Sequence, residues 1–428
     1  MGQIPLNYLQ ANIYLQEQKN PNAAYNLPRG FVLLGELNIE VLEGAIRSVI
    51  HKHFILKSKI IANGGNLFFQ QLESPFWRLL VIDAKQFFNA EQLAIERFKQ
   101  EEKVPFDLNS WPLFRICLFK INKMKSILLF NFHHIIFDMN SYSLVFSEIE
   151  KNYNLKFKNK HILCEQLSSE TNKPTSFPDY FPRNGTGVCS YSEKYCNNLR
   201  PVNWIGLDSL RAVWNFQGAE VKIIVNRDIR EKLKYISGKM KVTLSMTLLA
   251  LYVSTLFDYI KDNFLYVFMQ VSNREETNSH QRVGLYLNSL ICYMERRYNG
   301  ELFTLLQKVR QIVLQAYDKY HPLMENVIAR KANSVGYTNR PIPQFCFDYY
   351  EMTSKSNLSL QEILTRPLYV DTFTAKRDLS LSVRNDPQSG VTLRFEYSTQ
   401  ILNSAYMKKF IDTFLEKINT FTACDFNT

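Results

Sequence analysis

Apolar positions along this chain recur at two spacings, one of strands and one of helices, and the two alternate from end to end. Phe31 to Leu34 is a β-type run, and Asn38 predicts the N-cap of a helix with Leu42, Ala45, Ile46, Val49 and Ile50 on one face. Leu67 to Gln70 reads as a short strand. Leu113 to Ile121 and Ser126 to Phe132 are β-rich, and Asn122-Lys123-Met124-Lys125 between them predicts a hairpin. A helix follows, with Tyr142, Val145, Phe146 and Ile149 at helical spacing. From Lys151 to Pro182 the chain turns polar and Pro-containing, the best lobe boundary it offers. Beyond it the alternation resumes. Strands are expected at Val221 to Val225, Phe264 to Val271, Gln344 to Tyr349, Leu379 to Val383 and Leu393 to Tyr397. Helices are expected at Leu244 to Tyr259, along the stripe Leu302, Leu305, Leu306, Val309, Ile312, Val313 and Ala316, and at Met407 to Ile418. The pattern predicts two α/β lobes, 1–165 and 183–428, joined by a linker at 166–182. No repeat of 20–50 residues is visible, which excludes solenoids and propellers.

Composition narrows the class. With 46% apolar and 21% charged residues over 428 positions, the chain has ample material for a core. The longest strongly apolar stretch, Met246 to Phe257, falls short of the ~20 residues that span a membrane, and the N-terminus lacks a signal pattern. A soluble cytoplasmic monomer without a membrane partner is expected. Seven cysteines with no CxxC pair point to reduced thiols rather than zinc, so no metal site is expected. The net charge of +11 suits an anionic partner or a solvated basic surface. No run of five basic residues occurs, and nucleic acid is not an expected partner.

One segment carries chemistry. His133-His134 and Asp138 close a strand just before a helix, in a chain with seven histidines. A strand end projects one imidazole outward while its neighbour turns the other way. The same alternation makes joint metal ligation by the two rings awkward, and no GxSxG nucleophile elbow accompanies them. A buried histidine pair satisfied by backbone carbonyls is the competing reading.

HHIIFDM resembles the HHxxxDG motif of condensation domains of nonribosomal peptide synthetases, in the chloramphenicol-acetyltransferase-like superfamily. Other segments follow in that family's order. Pro5-Leu6, Gln10 and Tyr14 resemble the opening PLSxAQxRxW. Lys52-His53 with Leu56-Lys57-Ser58 resembles RHExLRT, with lysine for both arginines and Phe54 for Glu. Pro178-Asp179-Tyr180 resembles YxDYAxW. Asn273-Arg274 with Val283 to Ser289 resembles NR…IGxFVNT. Phe345, Phe347 and Tyr349 fit FQVxFNY, and Arg377-Asp378-Leu379 with Leu381 fits FDLxL. The resemblance runs from Pro5 to about Ile418.

It implies two acetyltransferase-like lobes in a V-shaped pseudo-dimer, with the active site at their interface. It implies attack of an acceptor amine or hydroxyl on a thioester, giving an amide or ester. The thioester is delivered on a carrier protein's phosphopantetheine or on coenzyme A, and no cofactor is bound by the domain itself. By motif position His134 is the catalytic imidazole, taking the amine's proton or orienting the amine. His133 is structural. Asp138 holds the loop through a salt bridge, with Arg274 or Lys57 supplying the cation. Asn288 lines the substrate tunnel or sits in a structural turn. Met139 stands where the family has Gly, and the resemblance implies that its side chain either narrows the tunnel on one side or changes how a pantetheine arm lies. Two functions stand: a condensation-type transferase, or a catalytically silent docking module that binds carrier proteins or recruits a tailoring enzyme. The matched span leaves no room for a carrier, adenylation or thioesterase domain. A free-standing protein or one unit of a longer assembly line is therefore expected, with Met1 beside the first motif favouring the former.

Overall fold

The structure is a computed structural model, described here over residues 2–158, 200–207, 214–272, 274, 279–298, 302–318, 344–352, 358–369 and 373–423. The first elements are β1 (Gln3–Pro5), α1 (Tyr8–Lys19), β2 (Asn26–Leu34), α2 (Ile39–Lys52), β3 (Ser58–Asn63), β4 (Asn66–Gln71) and β5 (Leu80–Asp83). Next come α3 (Ala90–Lys103), β6 (Phe114–Lys120), β7 (Lys125–His133), α4 (Met139–Lys158), β8 (Gly218–Val225), α5 (Arg227–Lys239) and α6 (Leu244–Tyr259). The remainder are β9 (Phe264–Ser272), β10 (Leu287–Glu295), α7 (Leu302–Asp318), β11 (Phe345–Glu351), β12 (Leu364–Leu368), β13 (Leu379–Asp386), β14 (Gly390–Ser398) and α8 (Ser404–Ala423).

The chain forms two compact units that are not two continuous halves. The first takes Met1–Asp179 together with Ser272–Leu287 and Thr353–Asp371; the second takes the rest. A boundary drawn once along the sequence misses those two later segments, and the expected linker at 166–182 lies outside the described residues. The reason is visible in the first unit's sheet, ordered β12-β2-β7-β6-β5: β12 pairs antiparallel with β2, from Leu364 opposite Leu34 to Leu368 opposite Gly30.

β7 sits at the centre of that sheet, buried on both faces from Ser126 to His133. Leu128, Phe130 and Phe132 face Phe31, Val145 and Phe146 on the side of α2 and α4. Ile127 and Leu129 face Ala90, Ala94 and Phe98 of α3 on the other. A strand covered on both sides needs a continuous apolar run, and SILLFNF supplies one. The alternation assigns His133 to the α3 side and leaves the strand to end there. A small sheet, β1-β4-β3, completes the unit.

The second unit has a six-stranded sheet, β10-β9-β11-β13-β14-β8, with β11 parallel to β9 and β13 and the β13-β14-β8 portion antiparallel. Its apolar face packs on α5, α6, α7 and α8 through Phe345, Phe347, Leu381, Leu393 and Phe395. Asp378, fully buried, accepts from Trp204 Nε1 at 2.8 Å and Gln344 Nε2 at 2.9 Å, which gives the FDLxL-like segment a structural task. No single described helix is long and apolar enough to cross a membrane.

The helices and strands expected from periodicity are present. The Asn38 side chain accepts from Val41 N–H at 3.0 Å and caps α2. Periodicity missed α1, α3 and α5. In α1 the buried positions are Gln10, Ile13, Tyr14 and Glu17, two of them polar, so the buried stripe carries little apolar signal.

α2 and α4 are tied by Glu148, whose carboxylate accepts from Lys52 Nζ at 2.6 Å and bonds His53 Nε2 at 2.7 Å. Burial works against the charge on Glu148, but the bonds from His53 and Lys52 outweigh it and hold its pKa below the ordinary carboxylate value. A carboxylate lowered on folding stabilises above its unfolded pKa of about 4.3, and the contribution is lost as pH falls through the folded value. Glu148→Gln is expected to cost about 1–3 kcal/mol at pH 7. Melting followed from pH 7 to pH 3 should show the difference between wild type and variant shrinking below pH ~4; a constant difference would contradict the assignment.

Candidate functional site

β7 ends at His133, and residues His134–Ile136 continue as a single 3-10 turn. The turn is nailed down by its own apolar residues: Ile135, Ile136 and Phe137 are completely buried, and the Phe137 ring stacks on Phe132 at 3.9 Å between centroids. Its backbone is equally committed. His134 N–H donates to Tyr25 O at 2.8 Å, and Ile135 O accepts from Gln10 Nε2 at 3.0 Å. Gln10 is itself held in a reciprocal cap with Asn7, its N–H on Asn7 Oδ1 at 2.8 Å and its Oε1 accepting from Asn7 N–H at 2.9 Å. The opening motif residue thus braces the histidine turn from 125 positions away.

The two adjacent histidines take opposite tautomers. His133 Nδ1 accepts from Ile135 N–H at 3.2 Å, so the proton sits on Nε2 and is donated to Glu17 Oε1 at 3.2 Å. Phe106 meets this ring edge-on at 5.6 Å, and the residue is wholly inaccessible. In His134 it is Nδ1 that donates, to Phe137 O at 2.7 Å, which leaves the lone pair on Nε2. His134 keeps 9% of its surface where His133 keeps none. Of the two, only His134 retains any accessible surface.

Asp138 is completely buried and follows the turn as the cap of α4, its Oδ1 accepting from Ser141 N–H and Oγ–H at 2.8 Å each. Arg274 Nη2 reaches across both carboxylate oxygens, at 2.7 and 2.8 Å, and Tyr286 N–H adds 3.2 Å to Oδ2. Arg274 is locked in turn: Nη1 donates to Ser279 O at 2.8 Å and Arg282 O at 2.7 Å, and the guanidinium lies over the Tyr286 ring at 4.7 Å. Desolvation of the pair is thereby offset by several charge-assisted bonds. Ser141 extends the network, its Oγ accepting from Gly284 N–H at 3.1 Å.

Of the candidate residues, His133, His134, Asp138 and Arg274 are brought together in the first unit. Lys57, the other candidate cation, is not part of the group. Its ammonium donates to His51 O at 2.6 Å, and burial lowers its pKa. Met139 opens α4, half-buried and packed against the first unit's core. Asn288 lies on β10 in the second unit, and its side chain is outside the described residues, as are Asn273 and Pro178-Asp179-Tyr180. Sequence reading missed Ser141 and Glu17. Asp-x-x-Ser at a helix start is a capping signal that points to Ser141, whereas nothing local marks Glu17, 116 positions from its partner. Among the described residues no cluster of His, Cys, Asp or Glu is placed to hold a metal ion, and the three described cysteines, 117, 292 and 346, are free and buried.

These features define an α/β protein with two buried imidazoles, one of which keeps a little exposure, on a turn braced by a buried ion pair. The family model for the condensation domain matches residues 1–424, and the chain belongs to that family. It is similar to tyrocidine synthase 2 of Brevibacillus parabrevis, 24% identical over 426 residues, which cover 98% of this chain and 12% of that protein. A linear gramicidin synthase of the same organism is also 24% identical, and the chain spans only 8% of its length. In fold it is similar to the X-domain from teicoplanin biosynthesis, with a TM-score of 0.83 at 15% identity, covering 99% of this chain and 95% of that one. It is also similar to the first condensation domain of the CDA synthetase, with a TM-score of 0.73 at 16% identity, covering 99% and 96%. The fold is the chloramphenicol-acetyltransferase-like one.

Removing Arg274 leaves the Asp138 carboxylate buried and uncompensated. Arg274→Met should destabilise the protein by about 3–5 kcal/mol, and adding Asp138→Leu should recover much of that loss. Urea unfolding of the single and double variants reads both; full additivity of the two losses would show that the pair is not coupled.

Proposed function

We propose that the chain is a condensation-type transferase. An acceptor amine attacks a thioester presented on a carrier protein's phosphopantetheine or on coenzyme A, and an amide forms. The observation that supports this most is the fixed tautomer of His134, which keeps Nε2 basic on the one histidine of the turn that retains exposure.

In this reading Nε2 takes the proton that the amine nitrogen sheds as its bond to the thioester carbon forms. The tetrahedral intermediate then collapses, the carbon–sulfur bond breaks, and the imidazolium returns the proton to the leaving thiolate. Asp138 takes no proton, because its oxygens are engaged by Arg274, Ser141 and Tyr286. His134 Nδ1 meets a neutral carbonyl instead of a carboxylate. That arrangement suits a nucleophile that needs little activation, and it favours an amine over a hydroxyl.

A second reading, a silent docking module, is favoured by Met139 where the family motif has Gly, since a side chain there fills space beside the histidine turn. The teicoplanin X-domain, of the same fold, is found in a complex with OxyB. The two readings separate cleanly by experiment. Acyl-loaded carrier proteins incubated with the chain and a panel of amines, followed by intact mass, should lose the acyl group with at least one amine. His134→Ala should slow that loss by about 10²–10⁴-fold while melting stays near wild type. Carrier binding with no thioester consumption would replace the transferase by the docking module.

A further inference from the structure

The buried stripe of α1 is apolar in the middle and polar at both ends. Gln10, Ile13, Tyr14 and Glu17 follow one another at positions i, i+3, i+4 and i+7, and all four are buried. Ile13 and Tyr14 anchor the helix in the first unit's core, and Tyr14 Oη–H donates to Asn109 Oδ1 at 2.8 Å. The two polar ends act on a single residue of the histidine turn. Gln10 Nε2 donates to the Ile135 carbonyl, while Glu17 Oε1 accepts from His133 Nε2, whose Nδ1 in turn accepts from the Ile135 N–H. The i to i+7 spacing puts about 10 Å of helix between Gln10 and Glu17, and Glu17 reaches Ile135 only through the His133 ring. One face of α1 therefore grips both the N–H and the C=O of the residue that follows His134.

The Ile135 amide decides what Glu17 has to be. A donor aimed at Nδ1 leaves no place for a proton there, so the His133 ring is neutral and its one proton lies on Nε2. Glu17 is then required as an acceptor and not as a counter-ion. Take the acceptor away and either neutral form of the ring loses a bond. A proton kept on Nε2 is buried without a partner, and a proton moved to Nδ1 meets the Ile135 N–H donor to donor. The Ile135 peptide has to turn away in the second case. The 3-10 turn it belongs to carries His134, whose own tautomer depends on the Nδ1 bond to Phe137 O across that same turn.

We propose that Glu17 is a positioning residue: acting through His133 it fixes Ile135, and with it the place and tautomer of the His134 imidazole. The inference rests on the transferase reading for its effect on rate, but its spectroscopic test does not. Glu17→Leu removes the acceptor, and Glu17→Gln keeps an acceptor without the charge. The full chain with isotope-labelled histidine rings is read by heteronuclear NMR, with His133→Asn and His134→Asn assigning the two signals. Wild type should show Nε2–H for His133 and Nδ1–H for His134. In Glu17→Leu the His133 ring should lose its pure Nε2–H form and the His134 signal should shift. Thioester consumption should fall by about 10–100-fold in kcat with KM changed by less than about twofold. Glu17→Gln should restore both signals and most of the rate. Melting of Glu17→Leu near or above wild type, as expected when a buried carboxylate gives way to an apolar side chain, separates lost positioning from lost folding. Should Glu17→Leu not fold, Glu17→Gln decides alone: wild-type tautomers support the acceptor role and altered ones overturn it. Unchanged histidine signals in Glu17→Leu, or damage in Glu17→Gln equal to that in Glu17→Leu, would overturn the proposal. Altered signals with no thioester consumption by wild type would leave the hold on His134 standing and defeat the transferase; consumption with histidine signals indifferent to Glu17→Leu would do the reverse.

Discussion

The buried pair of Asp138 and Arg274 is the constraint on which the histidine turn depends. An aspartate with no solvent exposure survives only if its charge is met in place, and here five hydrogen bonds converge on two oxygens. The cation arrives from 136 positions away and is itself fastened to two carbonyls. That crossing explains why Ser272–Leu287 belongs to the first unit although the chain reaches it only after building part of the second. An ion pair of this kind adds little net stability over a well-packed apolar pair, but it admits one loop geometry and penalises others. The turn it holds is the one that carries His133 and His134.

Within that turn two identical side chains are given different work by their backbone partners. One ring accepts from an amide and donates to Glu17; the other donates to a carbonyl. Each choice settles which nitrogen keeps its lone pair. His133 spends both nitrogens on the interior, and His134 keeps Nε2 basic on a residue that solvent still reaches. The carbonyl partner also distinguishes this site from a Ser-His-Asp arrangement, where a carboxylate stabilises the imidazolium.

The two sheets show how burial governs what a strand can carry. β7 is covered on both faces and reads almost entirely apolar, so its chemistry is deferred to the residue after its end. β11 is covered by its unit's described helices on one face only, and its other face holds Cys346, Asp348 and Tyr350.

Much of this was legible in the sequence. The apolar runs marked β7, α2, α6, α7 and α8, because burial of one face imposes a period that survives without knowledge of the partner. The spacing of His133, His134 and Asp138, with the ordered motifs around it, marked the turn for which a catalytic role is proposed. The polar stripe of α1 hid that helix, since its buried Gln10 and Glu17 serve partners at Ile135 and His133 that only folding brings near. Sequence left Arg274 and Lys57 as equal candidates for the cation, and the tertiary structure chose Arg274, whose Nη2 spans both carboxylate oxygens while Lys57 satisfies a local carbonyl. The tautomers of the two histidines were likewise decided only in three dimensions. Local patterning records which residues are buried, whereas charge, protonation and hydrogen bonding depend on groups that the chain's order keeps far apart.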